Sequence, residues 1–198
     1  MPLLGPTDEL PHSPRRVLVA GTSGAGKSTL SAGIADWLGL SYVEMDALFH
    51  GPQWTPRAEF DADVARLVKR PEWVTEWQYT SARPVLLAHA DTLVWLDHPK
   101  HLVLRRVVVR TMVRRLRREE LWNGNVEPPL HTVFTDPEHL LRWAWKSHGR
   151  TRARVESVLA GEHARRVAVV RLRGQREVDR WCAGPLRRAS GRGEESVR

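Results

Sequence analysis

Residues 15–29 read RRVLVAGTSGAGKST, a short apolar run that leads into a glycine-rich loop. A β-branched run that ends in glycine is typical of a buried strand. Residues 28–40, STLSAGIADWLGL, have the apolar spacing of a helix that ends near Gly39. Residues 21–28 match the pattern G-x-x-x-x-G-K-[ST] at every fixed position. This stretch therefore predicts a strand, a phosphate-binding loop and a helix, in that order.

Each residue type in the loop has a physical reason to be there. Glycines let the backbone curl so that its N–H groups converge on phosphates, and the helix adds the positive end of its dipole. We expect Lys27 to reach the β- and γ-phosphate oxygens and Ser28 to ligate Mg²⁺. The expected nucleotide-binding residues are Gly21, Thr22, Ser23, Gly24, Ala25, Gly26, Lys27, Ser28 and Thr29, with Arg173 and Gln175 after the last strand, where this fold class usually holds adenine. A chance glycine-rich turn is the alternative.

The composition limits the classes of partner. The chain of 198 residues is long enough for one domain with a core. Its formal net charge of +8 favours anionic partners such as nucleic acid, acidic membranes or polyphosphate substrates. The single cysteine, Cys182, cannot form an intramolecular disulfide, which suits the cytoplasm. No apolar stretch reaches the roughly 18 residues of a membrane span.

Strand and helix signals alternate along the rest of the chain. Further strands are expected at 41–45, 73–76, 92–96 and 166–172, and further helices at 56–70, 137–160 and 176–184. This alternation predicts an α/β fold with a parallel sheet covered on both faces, and its ligands at the carboxyl ends of the strands. The domain is expected to span 15–184, between a flexible lead at 1–14 and a disordered tail at 185–198.

The sequence lacks the motifs that mark two other classes of protein with this loop. The guanine-reading sequence [NT]-K-x-D of GTPases is absent. ATP-driven machines usually place Asp-Glu after an apolar strand, whereas these strands end in Leu-Asp-His and Val-Thr-Glu-Trp. The remaining class is a small phosphoryl-transfer enzyme, which works by positioning groups and neutralising negative charge.

The chain resembles the small P-loop kinases related to adenylate kinase that are often described as DNA topology modulation proteins. The resemblance runs from about 16 to 182. It rests on the loop and on the segments MDALFHGPQW (45–54), WVTEWQY (73–79), ADTLVWLDHP (90–99) and LLRWAWKSH (140–148). It implies a three-layer α/β/α fold of the nucleoside monophosphate kinase type, with a five-stranded parallel sheet in the order 2-3-1-4-5 and a helical lid. It also implies a kinase that uses ATP and Mg²⁺.

The resemblance also implies an acceptor site. Asp46 would orient the acceptor hydroxyl, although an Asp before Ala-Leu-Phe also fits a helix cap. Glu76 stands where the family has Asp in Asp-Gly-Asn-Tyr and would hold Mg²⁺ with Ser28; a solvated strand-end carboxylate is the alternative. The expected acceptor residues are Asp46, Trp54, Trp77, Gln78, Tyr79 and Arg83, whose aromatic rings either stack on a ligand or simply pack. Asp97 is expected to cap the next helix.

Residues 104–122 read LRRVVVRTMVRRLRREELW. At about 100° per residue, Val108, Val109, Met112, Val113 and Leu116 share one arc, and Arg106, Arg110, Arg114 and Arg117 share another. We therefore expect a helix with its apolar side on the sheet and its basic side on phosphate, in a lid over about 105–136. The expected catalytic residues are Lys27, Asp46, Arg110, Arg114 and Arg117. A solvated charged face is the alternative.

The leading hypothesis is an ATP-dependent kinase that moves the γ-phosphate to a small nucleotide-like or metabolite acceptor. The alternative is an ATP-binding, nucleic-acid-associated regulator of the DNA topology modulation type. A polynucleotide kinase is a third possibility, but no second basic domain accompanies the loop. The identity of the acceptor stays open at this point.

Overall fold

The computed structural model of the chain describes residues 3–117 and 140–190. The strands are β1 (Leu3–Leu4), β2 (Arg16–Gly21), β3 (Tyr42–Val43), β4 (Trp73–Glu76), β5 (Thr92–Leu96) and β6 (Ala168–Leu172). The helices are α1 (Lys27–Leu38), α2 (Met45–Phe49), α3 (Phe60–Leu67), α4 (Ala82–His89), α5 (Lys100–Arg117), α6 (Leu140–Ala160), α7 (Gln175–Trp181) and α8 (Arg187–Ala189). A π-helical turn, Cys182–Leu186, joins the last two helices.

The strands form one sheet in the order β1-β6-β5-β2-β4-β3, and every neighbouring pair is parallel. When β1 is set aside, this is the predicted order 2-3-1-4-5, so that prediction is confirmed. β2 lies between β4 and β5, which places the phosphate-binding loop at the middle of the sheet.

The sheet has one strand more than predicted. Leu3 and Leu4 pair with Val169 and Val170 of β6, so the expected flexible lead instead adds an edge strand. Two paired residues are too short a run to show the period-two pattern of a strand. The expected tail is likewise helical over Arg187–Ala189, and residues 191–198 lie outside the described residues.

Alternate residues of the strands point to opposite faces, and each face has its own core. Leu18 and Ala20 of β2 belong to a cluster with the buried residues of α3, α4 and α6. Val17 and Val19 belong to a second cluster with α1 and α7. A parallel strand that is apolar on both faces requires helices on both sides, which confirms the predicted three layers.

The helices differ from the predicted ones mainly at their ends. α5 begins at Lys100, several residues before the expected start near 105, and α3 is shorter than the predicted 56–70. α2 and α4 were not predicted. Within residues 3–117 and 140–190, none of the helices combines the length and the hydrophobicity needed to cross a membrane.

Asp97 ties α6 to the sheet. Its side chain is 4% exposed and accepts hydrogen bonds from Arg152 Nη2 at 2.7 Å and from Arg171 Nε at 2.8 Å. Burial alone would raise the pKa of Asp97, but the hydrogen bonds and charges of the two arginines outweigh it, and the pKa lies below the usual Asp value. Asp97 is thus an ion-pair centre between β5, β6 and α6.

We predict that Asp97→Asn lowers the free energy of unfolding by about 3 kcal/mol near neutral pH, because it leaves the partly buried Arg171 without its anion. Because the folded-state pKa is depressed, this stabilisation is complete above about pH 4 and is lost as the pH falls through the folded-state pKa. Urea unfolding of both proteins at pH 7 and pH 3 measures the difference.

The exposed Asp61 on α3 offers a control, since Asp61→Asn should change stability by about 0.5 kcal/mol or less. An equal loss in the two variants, or a loss in Asp97→Asn that persists unchanged at the lower pH, contradicts this account.

Candidate active site

The phosphate-binding loop leaves β2 at Gly21 and enters α1 at Lys27. Gly24 and Gly26 have φ values of +79° and +95°, in the left-handed region that residues with side chains avoid. Gly26 is the N-cap of α1, where the first backbone N–H groups have no partner within the helix. The loop therefore offers backbone donors at the positive end of a helix dipole, the arrangement that holds phosphate.

α5 packs directly on this loop. Val103 and Val107 are 2% and 0% exposed. A Cβ atom at Gly24 would stand 2.3 Å from Val107 Cγ2 and 3.1 Å from the Val103 carbonyl oxygen. The missing side chain of Gly24 therefore sets how closely α5 approaches the loop.

Two arginines of α5 are on the side that faces the loop. Arg106 donates from Nη1 to the Ala25 carbonyl oxygen at 3.3 Å and from Nη2 to Gln175 Oε1 at 2.9 Å. Arg110 Nη2 donates to Ser23 Oγ at 3.3 Å. Positions 103, 106, 107 and 110 are spaced as one helix face, so these arginines and the buried valines of α5 meet the loop together.

The apolar side of α5 is not where the sequence predicted it. Val108, Val109, Met112 and Val113 are 39%, 52%, 48% and 39% exposed. The prediction that this side packs on the sheet is wrong, because the valines of α5 that are buried are Val103 and Val107 on another face. The side chains of Arg114, Leu116 and Arg117 lie outside the part of the chain that the structure describes.

Lys27 lies over the loop, where its Nζ donates to the Thr22 carbonyl oxygen at 3.3 Å. Burial lowers the pKa of Lys27 below the usual Lys value, and the charge of Arg110 adds to this effect. The charges of Asp46 and Glu76 oppose it. The pKa of Lys27 is thus affected by one other cation, Arg110, and by the two carboxylates.

Asp46 is held in place by two donors. It lies in the first turn of α2, and its Oδ1 accepts hydrogen bonds from Gln78 Nε2 at 2.7 Å and from the Tyr79 hydroxyl at 2.5 Å. Burial raises the pKa of Tyr79, and Asp46 raises it further, so the phenol stays protonated and keeps donating. Tyr79 has a φ of +61°, a conformation that costs about 1 kcal/mol or more and occurs mainly where a site requires it.

Glu76 lies at the end of β4 and is 1% exposed, so it is not a solvated strand-end carboxylate. Its Oε1 accepts a hydrogen bond from the Tyr42 hydroxyl at 2.5 Å, and its Oε2 accepts one from the Met45 backbone N–H at 3.0 Å. Both oxygens of Glu76 therefore have a donor within the fold.

The residues at the loop fit a magnesium ion that is held mainly by a nucleotide. Among the described residues, no three His, Cys, Asp or Glu side chains are arranged as a metal site. Mg²⁺ usually takes one or two protein ligands and completes its coordination with phosphates and water. Ser28 is exposed at the start of α1 and fits such a ligand. Burial and Glu76 raise the pKa of Tyr42, and the half-buried Glu44 raises it further.

An aromatic cluster surrounds the residues that hold Asp46. The Phe49 ring stacks on the Tyr79 ring with centroids 3.9 Å apart, and Phe60 meets the same ring edge-on at 5.2 Å. The Trp54 ring is half-buried and lies edge-on to His50 at 5.1 Å. Trp54, Gln78 and Tyr79 are thus brought together near Asp46.

Trp77 lies in the core instead. It is 8% exposed, and its Nε1 donates to the Arg83 carbonyl oxygen at 3.1 Å. Its ring packs with the cluster that includes the buried residues of α4. Since successive strand residues point to opposite faces, Glu76 faces α1 and Trp77 faces α4. The prediction that Trp77 contacts the acceptor is therefore corrected.

Two half-buried arginines come together at the start of α4. Arg83 Nη2 donates to Thr80 Oγ1 at 3.1 Å, and the Arg83 backbone N–H donates to the Tyr79 carbonyl oxygen. Burial lowers the pKa of Arg83, and the charge of Arg154 on α6 lowers it further. Within the described part of the chain, neither arginine has an ion pair. This end of the site therefore favours an anion.

A pocket of about 370 Å³ opens beside the loop. It is lined by Ala25, Gly26, Thr29, Leu30, Gly33, Trp37, Leu96, His98, Arg106, Gln175, Val178 and Cys182. Arg173 is not among these residues; it is exposed, and its N–H donates to Glu177 Oε2 at 2.8 Å. Burial lowers the pKa of His98, and the Arg106 charge adds to this, so the imidazole is neutral near pH 7. The pocket adjoins the loop and suits a nucleoside.

Sequence reasoning missed several residues of this arrangement. Tyr42 reads as an ordinary strand residue, and only its position opposite β4 brings it to Glu76. Arg106 was placed on the basic face without a catalytic role. The spacing of Glu44 and Asp46, two carboxylates directly after a strand, is a signal that could have indicated Glu44.

We predict that Gly24→Ala destabilises the protein by about 2 kcal/mol, because a residue with a side chain is strained at the positive φ of this position and its Cβ overlaps Val107. Val107→Ala removes the overlapping methyl groups but not the backbone strain. In a double-mutant cycle measured by urea unfolding, the two substitutions together should therefore cost about 1 kcal/mol less than their sum. Strict additivity contradicts a direct contact between the loop and α5.

No protein-family model matches the chain, and no curated protein matches it. Several solved structures are similar to it. A gluconokinase from Sinorhizobium meliloti 1021 is 20% identical over 93% of this chain and 99% of its own, with a TM-score of 0.47. A shikimate kinase from Acinetobacter baumannii in complex with shikimate is 16% identical over 90% and 89%, with a TM-score of 0.44. A shikimate kinase from Bacteroides thetaiotaomicron is 11% identical over 90% and 96%, with a TM-score of 0.45. The strand order and the loop after the central strand give the chain the α/β fold of P-loop kinases.

Proposed function

We propose that the protein is a kinase that uses ATP and Mg²⁺ to phosphorylate a small acceptor, nucleotide-like or a metabolite. The observation that carries this proposal is the meeting of three groups at one edge of the sheet. These are the phosphate-binding loop with Lys27, the Arg110 side of α5, and the oriented carboxylate of Asp46. Phosphoryl transfer requires a site for the phosphate donor, positive charge near the transferred group, and a base beside the acceptor.

Lys27 and Arg110 would neutralise the charge of the transferring phosphoryl group. The charge of Arg110 adds to the lowering of the pKa of Lys27, which supports a place for both cations near the phosphates. A triphosphate bound at the loop would be attracted to both of them. Arg114 and Arg117 would add to this charge, as expected from the sequence.

Ser28 and Glu76 would site Mg²⁺, as expected from the sequence, and hydrogen bonds from the Tyr42 hydroxyl and the Met45 N–H orient the Glu76 carboxylate. When bound, the ion would screen the phosphate oxygens and favour departure of the diphosphate. The nucleoside would lie in the pocket beside Thr29 and Gln175. Arg106 spans the mouth of that pocket, since it contacts both Ala25 and Gln175.

Asp46 would accept the proton of the attacking hydroxyl. Gln78 and Tyr79 both donate to Oδ1, which fixes the rotation of the carboxyl group. A carboxylate fixed in this way can meet a hydroxyl without first having to reorient, and this is the main benefit of a preorganised base.

The acceptor would itself carry a negative charge. Arg83 follows Tyr79 by four residues and donates its backbone N–H to the Tyr79 carbonyl oxygen, and the charge of Arg154 acts on Arg83. Among the described residues neither arginine has an ion pair, and arginine binds a phosphate or a carboxylate through two parallel hydrogen bonds. This would restrict acceptors to small molecules with a hydroxyl and an anionic group.

The alternative, a nucleic-acid-associated regulator of the DNA topology modulation type, rests on the arginine-rich segment. Arg106 and Arg110 of that segment are turned toward the phosphate-binding loop. An arginine that contacts the loop of its own protein is badly placed to contact a duplex. The geometry of the described residues therefore supports the small-acceptor proposal over this alternative.

With γ-labelled ATP, Mg²⁺ and a panel of nucleosides, nucleoside monophosphates and phosphorylated or acidic hydroxy metabolites, we expect one acceptor class to become labelled. Lys27→Ala should weaken ATP binding, because it removes the cation nearest the loop. Asp46→Asn should lower kcat by about 10²–10⁴-fold, because the amide cannot take the proton. Labelled product is quantified after separation from ATP.

Exposed Asp61→Asn serves again as the control and should behave as wild type. Failure to label any acceptor, combined with unchanged ATP affinity in Lys27→Ala, contradicts the proposed function.

For whichever acceptor is labelled, Arg154→Ala should raise its KM by about 10-fold or more while leaving ATP affinity unchanged, because it removes a charge-assisted contact worth about 1.5–3 kcal/mol. Arg150→Ala, an exposed position one turn earlier on α6, is the matched control and should leave KM unaltered. Equal KM values for wild type and Arg154→Ala would remove Arg154 from the acceptor site.

A further inference from the structure

A row of hydrogen-bonding groups leads from Asp46 through Tyr79 to His50. The Tyr79 hydroxyl donates to Asp46 Oδ1 at 2.5 Å, and His50 Nε2 lies 3.2 Å from the same hydroxyl oxygen. The backbone N–H of His50 donates to the Asp46 carbonyl oxygen at 3.0 Å, so His50 follows Asp46 by one helical turn. Two side chains from one turn of the chain therefore meet at the Tyr79 hydroxyl.

The direction of these contacts determines which nitrogen of His50 carries the ring proton. A tyrosine hydroxyl has one proton to donate. A separation of 2.5 Å from a carboxylate oxygen is typical of a charge-assisted hydrogen bond, so the Tyr79 proton points at Asp46. Only the lone pairs of the Tyr79 oxygen are then left for His50. The ring proton of His50 therefore belongs on Nε2, which donates to Tyr79.

Aromatic contacts hold the His50 ring in this position. The half-buried imidazole meets the Phe49 ring edge-on at 5.0 Å and the Trp54 ring edge-on at 5.1 Å. In the part of the chain that the structure describes, the non-glycine residues with a positive φ are Gln53, Trp54 and Tyr79. Two of these three contact His50. Backbone strain of this kind collects at functional sites, which supports a functional role for His50.

The two oxygens of Asp46 have different surroundings. The hydrogen bonds from Gln78 and Tyr79 both end on Oδ1, which leaves Oδ2 for the phosphate acceptor. In the proposed reaction, the acceptor oxygen forms a bond to the γ-phosphorus. The bond from that phosphorus to the β,γ-bridging oxygen breaks, and ADP leaves with the electron pair. The proton of the acceptor hydroxyl passes to Asp46 Oδ2.

We propose that His50 is a positioning residue for the catalytic base: it donates from Nε2 to the Tyr79 oxygen, holds the Tyr79 hydroxyl toward Asp46 Oδ1, and so leaves Oδ2 to take the proton. His50 touches neither the acceptor nor the nucleotide in this assignment and acts through Tyr79 alone. The inference rests on the proposed function, since it assumes that Asp46 is the base of a kinase.

The first test uses the protein without any acceptor. In protein labelled with ¹⁵N-histidine, long-range ¹H–¹⁵N spectra show which ring nitrogen carries the proton, and the signals lost in His50→Gln identify His50. We expect the proton on His50 Nε2, and we expect Tyr79→Phe to shift the Nε2 signal because it removes the hydrogen-bond partner. A neutral ring protonated on Nδ1, or an Nε2 signal unchanged in Tyr79→Phe, overturns the proposal.

The second test measures phosphoryl transfer to the acceptor that the labelling panel identifies. His50→Leu should lower kcat about 5- to 10-fold, because a hydrogen bond that orients the base is lost. The KM for the acceptor should stay within about 2-fold of wild type, since His50 does not touch it. His50→Gln keeps a side-chain N–H of similar reach and should restore most of the kcat. In a Tyr79→Phe background, His50→Leu should lower kcat no further.

His89→Leu is the matched control. His89 is exposed at the end of α4, and its Nδ1 lies 2.9 Å from the Val85 carbonyl oxygen. The same loss of an imidazole at this position should leave both kcat and KM at their wild-type values.

A wild-type kcat in His50→Leu overturns the inference while leaving the kinase assignment intact. An equal fall in His50→Gln and His50→Leu, or a further fall in the Tyr79→Phe background, also overturns it. Failure to label any acceptor contradicts the proposed function, and the catalytic role of His50 with it. The spectra then still show whether the hydrogen bond between His50 and Tyr79 exists, so the two failures are distinguished.

Discussion

The closeness of α5 to the phosphate-binding loop is the contact on which the rest of the site depends. It exists because Gly24 has no side chain and because its φ of +79° turns the loop beneath Val107. Only with the helix this close can Arg106 and Arg110 reach Ala25 and Ser23. Without this contact, Lys27 would lack the two additional positive charges that α5 brings to the loop.

The opposite side of the site is organised by carboxylates. Glu76 is buried and holds Tyr42 and the start of α2, while Asp46, one residue further along, is held by Gln78 and Tyr79. Burial and the charge of Arg110 lower the pKa of Lys27 even though Asp46 and Glu76 oppose the shift. Groups of both signs therefore act on the lysine of the phosphate-binding loop.

Much of this arrangement could be predicted from the sequence, because topology brings distant residues together. Once the strands are known to be parallel, Gly21, Glu76 and the residues after β3 must share one edge of the sheet. The motif at 21–28 identifies the phosphate site by the backbone geometry that glycine allows. The predicted strand order followed from the resemblance and is the order observed, apart from the added edge strand.

What the sequence could not predict depends on the direction in which side chains point. The arcs of α5 show which residues share a face of the helix, but they do not show which face packs on the protein. Val109 and Met112 were therefore predicted to be buried and are exposed. For the indole of Trp77 the sequence left stacking on a ligand and packing open, and the structure places it in the core. Tyr42 carries no motif at all, and its role arises only because β3 pairs with β4.

A structure with Mg²⁺ and a non-hydrolysable ATP analogue tests most directly whether the loop and α5 form a phosphoryl-transfer site. The account predicts that the base lies in the pocket beside Thr29 and Gln175 and that Lys27 leaves the Thr22 carbonyl oxygen for the phosphates. It also predicts that Arg110 comes within hydrogen-bonding distance of the γ-phosphate. Phosphates bound away from the loop, or a Lys27 and an Arg110 that keep their present partners, would contradict it.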